Sequence, residues 1–240
     1  MDNPLAHSEV TVIGGGMIGA ATALGLAQAG FRVTVAELQA PAPFDAQSRP
    51  DVRISAISRA SAELLESLGV WERVRAMRCV PYRTLETYEE PGSEVTFTAE
   101  SLGLPELGYM VENPVLQRAL WEMITAHELI TCLCPVRLQS MTKQSGEWLL
   151  TFDNGGVMTT RLVIGADGAK SQVRTLAGIG SCGWQYRQSC MLISVDTGRG
   201  QQDITWQQFS RRPACVSAVC LSSYASLVLV STHGADTPAQ

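Results

Sequence analysis

Three glycines and one acid carry the first chemical signal in the chain. Gly14, Gly16 and Gly19 stand in the spacing G-x-G-x-x-G, behind an apolar, β-branched run at 10–13 and ahead of a helix-like stretch with few polar residues. A bound pyrophosphate needs that order. Gly14 permits the tight turn out of the strand, Gly16 lets the phosphates approach the backbone, and Gly19 lets the helix pack closely. The free N–H groups at the helix start, at the positive end of its dipole, then hold the phosphates. Glu37 ends the next apolar segment, 31–37, about 20 residues on, where a carboxylate accepts hydrogen bonds from the adenosine ribose. An acid there favours FAD or NAD over NADP, whose extra phosphate it repels. The plain alternative for Glu37 is a solvated acid at a strand end.

A second signal lies at 161–174. A buried strand at 161–165 runs into Ala166, Asp167 and Gly168, with Ser171 and Arg174 at helix-start spacing. Asp167 is expected to accept bonds from the turn's own amides and to pair with Arg174, leaving a rigid shelf for a cofactor. Arg174 as a simple surface charge is the alternative. His7, His127 and His233 are isolated, and none is assigned chemistry. The seven cysteines are irregularly placed. Cys132 and Cys134 sit two apart on what reads as one strand and should face the same way, but no second pair at metal spacing follows. No metal site is expected, and no side chain is assigned as catalytic.

The secondary structure around these residues follows from pattern. Gly30 is a plausible helix stop before the strand at 31–37. The proline-rich stretch 38–50 is an exposed loop. Ser58 caps a helix carrying Ala62, Leu64, Leu65 and Leu68, which Gly69 ends. Segments 81–88 and 94–98 read as strands joined through Pro91 and Gly92. Pro114 in a first turn marks a helix from Asn113, with Leu116, Leu120, Met123 and Ile124 as its buried stripe. Short strands are expected at 129–134, 136–141, 148–152 and 157–160, separated by turns such as Ser145-Gly146.

The bulk properties set limits. A chain of 240 residues, 45% hydrophobic and 17% charged, fits a soluble globular protein of one large domain or a domain and a half. A net charge of −5 without a basic cluster argues against nucleic acid as a partner. The start has neither a basic region nor an apolar core, so no secretory leader is expected. The apolar run at 224–230 is too short to span a bilayer. A reduced cytoplasmic chain with buried thiols is the expectation.

These residues together resemble a known family. The glycine turn, Glu37, the segment Arg53-Ile-Ser-Ala, the helix at 113–121 and the turn through Asp167 and Gly168 are similar to the FAD-dependent aromatic hydroxylases of the para-hydroxybenzoate hydroxylase type. Segments 50–58, 68–71, 107–113 and 184–194 resemble the ubiquinone-biosynthesis branch. The resemblance covers about residues 8–209. It implies an α/β fold: a Rossmann-like FAD-binding domain with the start of a β-rich substrate domain. The implied layout is an FAD-binding part at 1–80, inserted substrate-domain strands at 81–108, a continued FAD-binding part at 109–180 and an incomplete substrate domain at 181–240.

The resemblance also implies an activity. NAD(P)H reduces the FAD, O2 adds to the reduced ring as a hydroperoxide, and a hydroxyl passes to an electron-rich carbon of a polyprenyl methoxy-benzoquinol. Gly14, Gly16, Gly19 and Glu37 would hold the ADP half of FAD. Arg53 would lie near the phosphates or the flavin edge, Asn113 and Gln117 on the helix facing the flavin, and Asp167 and Gly168 at FAD and the nicotinamide donor. The plain alternatives are a surface ion pair for Arg53 and a helix cap for Asn113. Other ubiquinone-biosynthesis proteins are implied as partners, and loose membrane association would give access to a lipid-dissolved quinol. Family members carry a later Gly-Asp fingerprint that is not found here, and the resemblance lapses at 211–220 and again at 229–240. The expectation is a chain shortened by frameshift, binding FAD weakly or not at all. An inactive remnant, or another FAD- or NAD-dependent oxidoreductase, is the competing reading.

Overall fold

The computed structural model describes residues 6–90, 92–186, 188–198, 202–210, 214–221 and 224–232. The chain start, Pro91, the stretch 211–213, His233 and the rest of the tail lie outside the described residues. In chain order the elements are β1 (Ala6–Ile13), α1 (Met17–Gln28), β2 (Val33–Ala36), β3 (Ile54–Ser58), α2 (Arg59–Ser67), α3 (Trp71–Met77), β4 (Cys79–Tyr82), β5 (Thr84–Tyr88), β6 (Val95–Thr98), β7 (Gly108–Glu112), α4 (Asn113–Ala126), β8 (Ile130–Leu133), β9 (Leu138–Gln144), β10 (Glu147–Phe152), β11 (Val157–Gly165), α5 (Gln172–Leu176), β12 (Gln188–Asp196), β13 (Ile204–Ser210), β14 (Ala214–Leu221) and β15 (Tyr224–Thr232). Among the described residues no helix is long and apolar enough to cross a membrane.

The residues form two compact units. The first comprises Met1–Phe44, Leu65–Arg73 and Pro114–Cys182. Its sheet has the order β8-β2-β1-β11-β10-β9. The first four strands run parallel, and β10 and β9 extend them antiparallel. Parallel strands are covered on both faces, so they need apolar residues at successive positions. Val10, Val12, Val33 and Val35 are buried accordingly, and so are Thr11 and Thr34 between them. Helix α1 packs on β1 and β2. It buries Ala20, Ala23, Leu24 and Ala27, one face at helical spacing, and its small side chains let it come close. Ile13, Leu138, Leu150, Phe152, Met158 and Val173 form a further core cluster.

Two strand boundaries differ from the sequence pattern. The stretches 157–160 and 161–165 are one strand, β11, because β1 pairs along 158–165 while β10 pairs with only 157–160. Strand β8 stops at Leu133, so Cys134 lies beyond it and the two cysteines do not share a strand; Pro135 follows and disfavours continuation.

The second unit comprises Asp45–Leu64, Val74–Asn113 and Gly183–Gln240. It holds a three-stranded sheet, β3-β7-β4, and a six-stranded sheet, β12-β15-β14-β13-β5-β6. The expected single strand at 81–88 is two strands in two sheets. Pro81 has no N–H to donate and sits on the edge strand β4, where proline is tolerated. The chain breaks at Arg83, where the amides of Arg83 and Thr84 both donate to the Asp203 carbonyl, at 2.7 and 3.1 Å. Ser58 caps α2 as expected, its Oγ accepting from the Ser61 amide at 3.2 Å.

Candidate dinucleotide-binding site

The site grows out of the carboxyl ends of the parallel strands in the first unit. Backbone bonds lace those ends together. The Gly14 amide donates to Ala36 at 2.8 Å, Ala166 to Ile13 at 2.8 Å, and Glu37 to Leu133 at 2.9 Å. Both sequence signals therefore emerge side by side at the carboxyl ends of the two central strands, since β1 and β11 are neighbours.

The two turns interlock. Gly14 has φ +103°, and a Cβ there would lie 2.4 Å from the Ala166 carbonyl oxygen. A side chain is barred twice, by the backbone conformation and by the second turn. A Cβ on Gly19 would lie 1.8 Å from the Gly14 oxygen and 3.1 Å from Ala166 Cβ. The sequence pattern assigns Gly19 to helix–sheet packing; the structure adds that its nearest obstacle is the first turn's own backbone.

Gly16 is different. It precedes α1 with φ −66° and ψ −177°, a conformation open to any residue, and no atom lies within 4 Å of where its Cβ would be. Among the described residues nothing requires a glycine here. The space in front of it fits a group that must approach the backbone closely, as a pyrophosphate does.

Glu37 sits just past β2. Its carboxylate accepts from the Gly15 amide through one oxygen, and from the Leu38 and Gln39 amides through the other, at 2.8 and 3.0 Å. A carboxylate offers about four acceptor positions, so one remains for a ligand hydroxyl. The side chain thus ties the glycine turn to the end of β2 as well as bordering the cavity.

Asp167 is the anchor of the second turn. It accepts from Ser171 Oγ at 2.5 Å and from the Gln172 and Val173 amides at 2.6 and 3.2 Å. Burial would raise its pKa, but the Ser171 hydroxyl and the amides of Val173 and Gln172 outweigh that and hold it below the usual value. The expected pairing with Arg174 is not made. Arg174 Nη1 donates instead to the Ala169 carbonyl at 3.2 Å. Three short-range donors on the α5 side already satisfy the carboxylate.

Gly14, Gly16, Glu37, Asp167 and Gly168 line one cavity of about 590 Å³, together with Arg137 and Lys170. Neither cation was marked by the sequence motifs. The only signal for Arg137 is the alternation of Val136, Arg137 and Leu138.

The remaining expected residues are placed as follows. Arg53 belongs to the second unit. Its side chain is 65% exposed, with Nε 3.6 Å from Asp51 Oδ1, the ion pair that the plain alternative describes. Asn113, also in the second unit, accepts from Ser55 Oγ at 2.5 Å through its side-chain oxygen and donates its amide to the Arg53 carbonyl at 3.0 Å. Gln117 is half-buried on α4, in the first unit.

The profile of the FAD binding domain family matches residues 7–212. The chain is 53% identical over 221 residues to the 3-demethoxyubiquinol 3-hydroxylase of Escherichia coli K12, covering 92% of this chain and 56% of that protein. It is 28% identical to the mitochondrial ubiquinone biosynthesis monooxygenase COQ6 of Rattus norvegicus, covering 94% of this chain and 50% of that protein. The chain thus spans about half the length of these curated relatives. Among solved structures, PqsL of Pseudomonas aeruginosa, described as a probable FAD-dependent monooxygenase, superposes with a TM-score of 0.78 at 20% identity, covering 94% of this chain and 61% of that one. That likeness is one of fold.

Proposed function

The chain belongs to the FAD binding domain family, and from that premise we propose that its function is FAD-dependent hydroxylation of a polyprenyl methoxy-benzoquinol in ubiquinone biosynthesis, with NAD(P)H and O2 as co-substrates. The observation that carries the cofactor half is the open space before Gly16, bordered by Glu37 and by the Asp167 turn. The substrate half rests on the 53% identity to a protein named as a demethoxyubiquinol hydroxylase.

When bound, the flavin supplies the redox and oxygen chemistry. The residues of this chain bind and orient it. The amides at the start of α1 hold the pyrophosphate, with Gly14 and Gly19 keeping the turn closed and Gly16 leaving room. Glu37 accepts from a ribose hydroxyl. Asp167 and Gly168 fix the second turn as a wall of the same cavity. Arg53, Asn113 and Gln117 are proposed as further flavin contacts. A prenylated quinol comes from lipid, so loose membrane contact, together with other ubiquinone-biosynthesis proteins, belongs to the same proposal.

Two measurements test this. In the first, the purified chain is titrated with FAD while tryptophan fluorescence and the flavin spectrum are followed. Weak but saturable binding of one FAD per chain is expected, and its absence at high micromolar FAD would remove the cofactor half. The second follows NADH and NADPH oxidation with a short-chain methoxy-benzoquinol, with mass analysis of the product. Gain of one oxygen supports the activity, and oxidation yielding only hydrogen peroxide opposes the substrate assignment.

A further inference from the structure

This inference rests on the cofactor reading above. The strand ends that build the cavity lie in a fixed order. Gly14 bonds to Ala36 at the end of β2, Glu37 bonds to Leu133 at the end of β8, and the Val136 amide donates back to the Glu37 carbonyl at 2.9 Å. Neighbouring strands are about 4.8 Å apart. The glycine turn, the acid and segment 136–138 therefore form a row. The phosphate, ribose and base of an ADP moiety come in that same order, which sets the base at 136–138.

At that end Val136 and Leu138 are buried, 6% and 2% exposed, and turn inward. Arg137 between them is exposed and lines the cavity. Its backbone is held on both sides by one residue. The Arg137 amide donates to Asp153 Oδ1 at 2.9 Å, and the Asp153 amide donates to the Arg137 carbonyl at 3.0 Å. Its guanidinium has no hydrogen-bond or ion-pair partner among the described residues, whereas Glu37 and Asp167 each take three donors from the protein. Exposed Leu38 borders the same cavity. A flat cation on a fixed backbone, beside an apolar side chain, suits the face of an aromatic base.

We propose that Arg137 recognises the purine end of the dinucleotide by stacking its guanidinium on the base, and so favours FAD over FMN. The test is equilibrium binding of FAD, ADP and FMN to the full chain and to R137A and R137K, at two salt concentrations, with the unfolding midpoint of each. R137A should weaken FAD and ADP about 3- to 10-fold, with FMN binding and the unfolding midpoint unchanged. R137K should not restore the loss, because a point charge lacks the planar face. Wild-type affinity for FAD and ADP in R137A would overturn the inference while leaving the cofactor reading in place. Full rescue by R137K, with a salt dependence matching wild type, would also overturn it and make the residue a phosphate contact. A wild-type chain that binds neither FAD nor ADP would defeat the cofactor reading itself, and the inference with it.

Discussion

Substituting Gly16 by alanine separates cofactor binding from folding. The added methyl meets no protein atom within 4 Å, and φ −66° needs no glycine. Loss of backbone freedom in the unfolded chain stabilises the variant by about 0.4–1 kcal/mol. The preference for glycine over alanine ahead of a helix opposes this by a similar amount, of order 1 kcal/mol. Stability should stay within about 1 kcal/mol of wild type. Binding should not survive so well, because the methyl occupies the room through which the pyrophosphate reaches the helix-start amides. Losing one charge-assisted hydrogen bond costs about 1.5–3 kcal/mol, or about 10- to 100-fold in Kd. Gly19→Ala is the contrasting case. Its Cβ would lie 1.8 Å from the Gly14 oxygen, backbone that cannot swing aside, and overpacking of this kind costs about 1–3 kcal/mol or more. FAD titration and thermal unfolding of both variants make the assay. FAD binding by Gly16→Ala within twofold of wild type, or a drop in its midpoint as large as that of Gly19→Ala, would refute the reasoning.

Glu112 and Arg78 form a buried ion pair at 2.8 Å, with side chains 5% and 14% exposed. The carboxylate also accepts from the Asp51 amide at 2.6 Å, and Arg78 donates to the Ser48 carbonyl at 2.9 Å. Glu112→Ala removes the carboxylate that Arg78 pairs with and should cost about 3–5 kcal/mol in urea unfolding, against a value under 1 if the pair were idle. Because the folded Asp167 pKa is lowered, its contribution is present above the unfolded pKa and fades as pH falls through the folded one. Asp167→Asn should therefore flatten the acid limb of stability against pH, whereas Arg174→Ala should leave that limb unchanged. Burial pushes the Cys79 thiol up to about 11, against a lesser lowering by Arg75, and burial with the Cys134 charge pushes Cys132 up to about 11. At pH 8 both should react with a disulfide reagent far more slowly than exposed Cys182 and Cys190; equal rates would contradict the burial.

Those parts of the protein whose physics is local are legible in the residues alone. A β-branched run, three glycines at fixed spacing and an acid after the next strand specify a strand, a turn, a helix start and a strand-end carboxylate, because each depends on a few consecutive residues. The Asp167 turn was legible for the same reason, since its carboxylate bonds reach only four to six residues along the chain. Contacts between distant segments were not. Only the tertiary structure shows that Ala166 sits where a Gly14 side chain would go, that Glu37 holds the Gly15 amide, and that Arg174 turns to a carbonyl rather than to Asp167. It alone brings Arg137 to the cavity, since period-two alternation gives a side chain's face and not what lies opposite. Strand ends escape local pattern for a related reason. Residues 82–88 read locally as one strand, and the break at Arg83 is set by Asp203, more than a hundred residues away, whose hydrogen bonds no local pattern records.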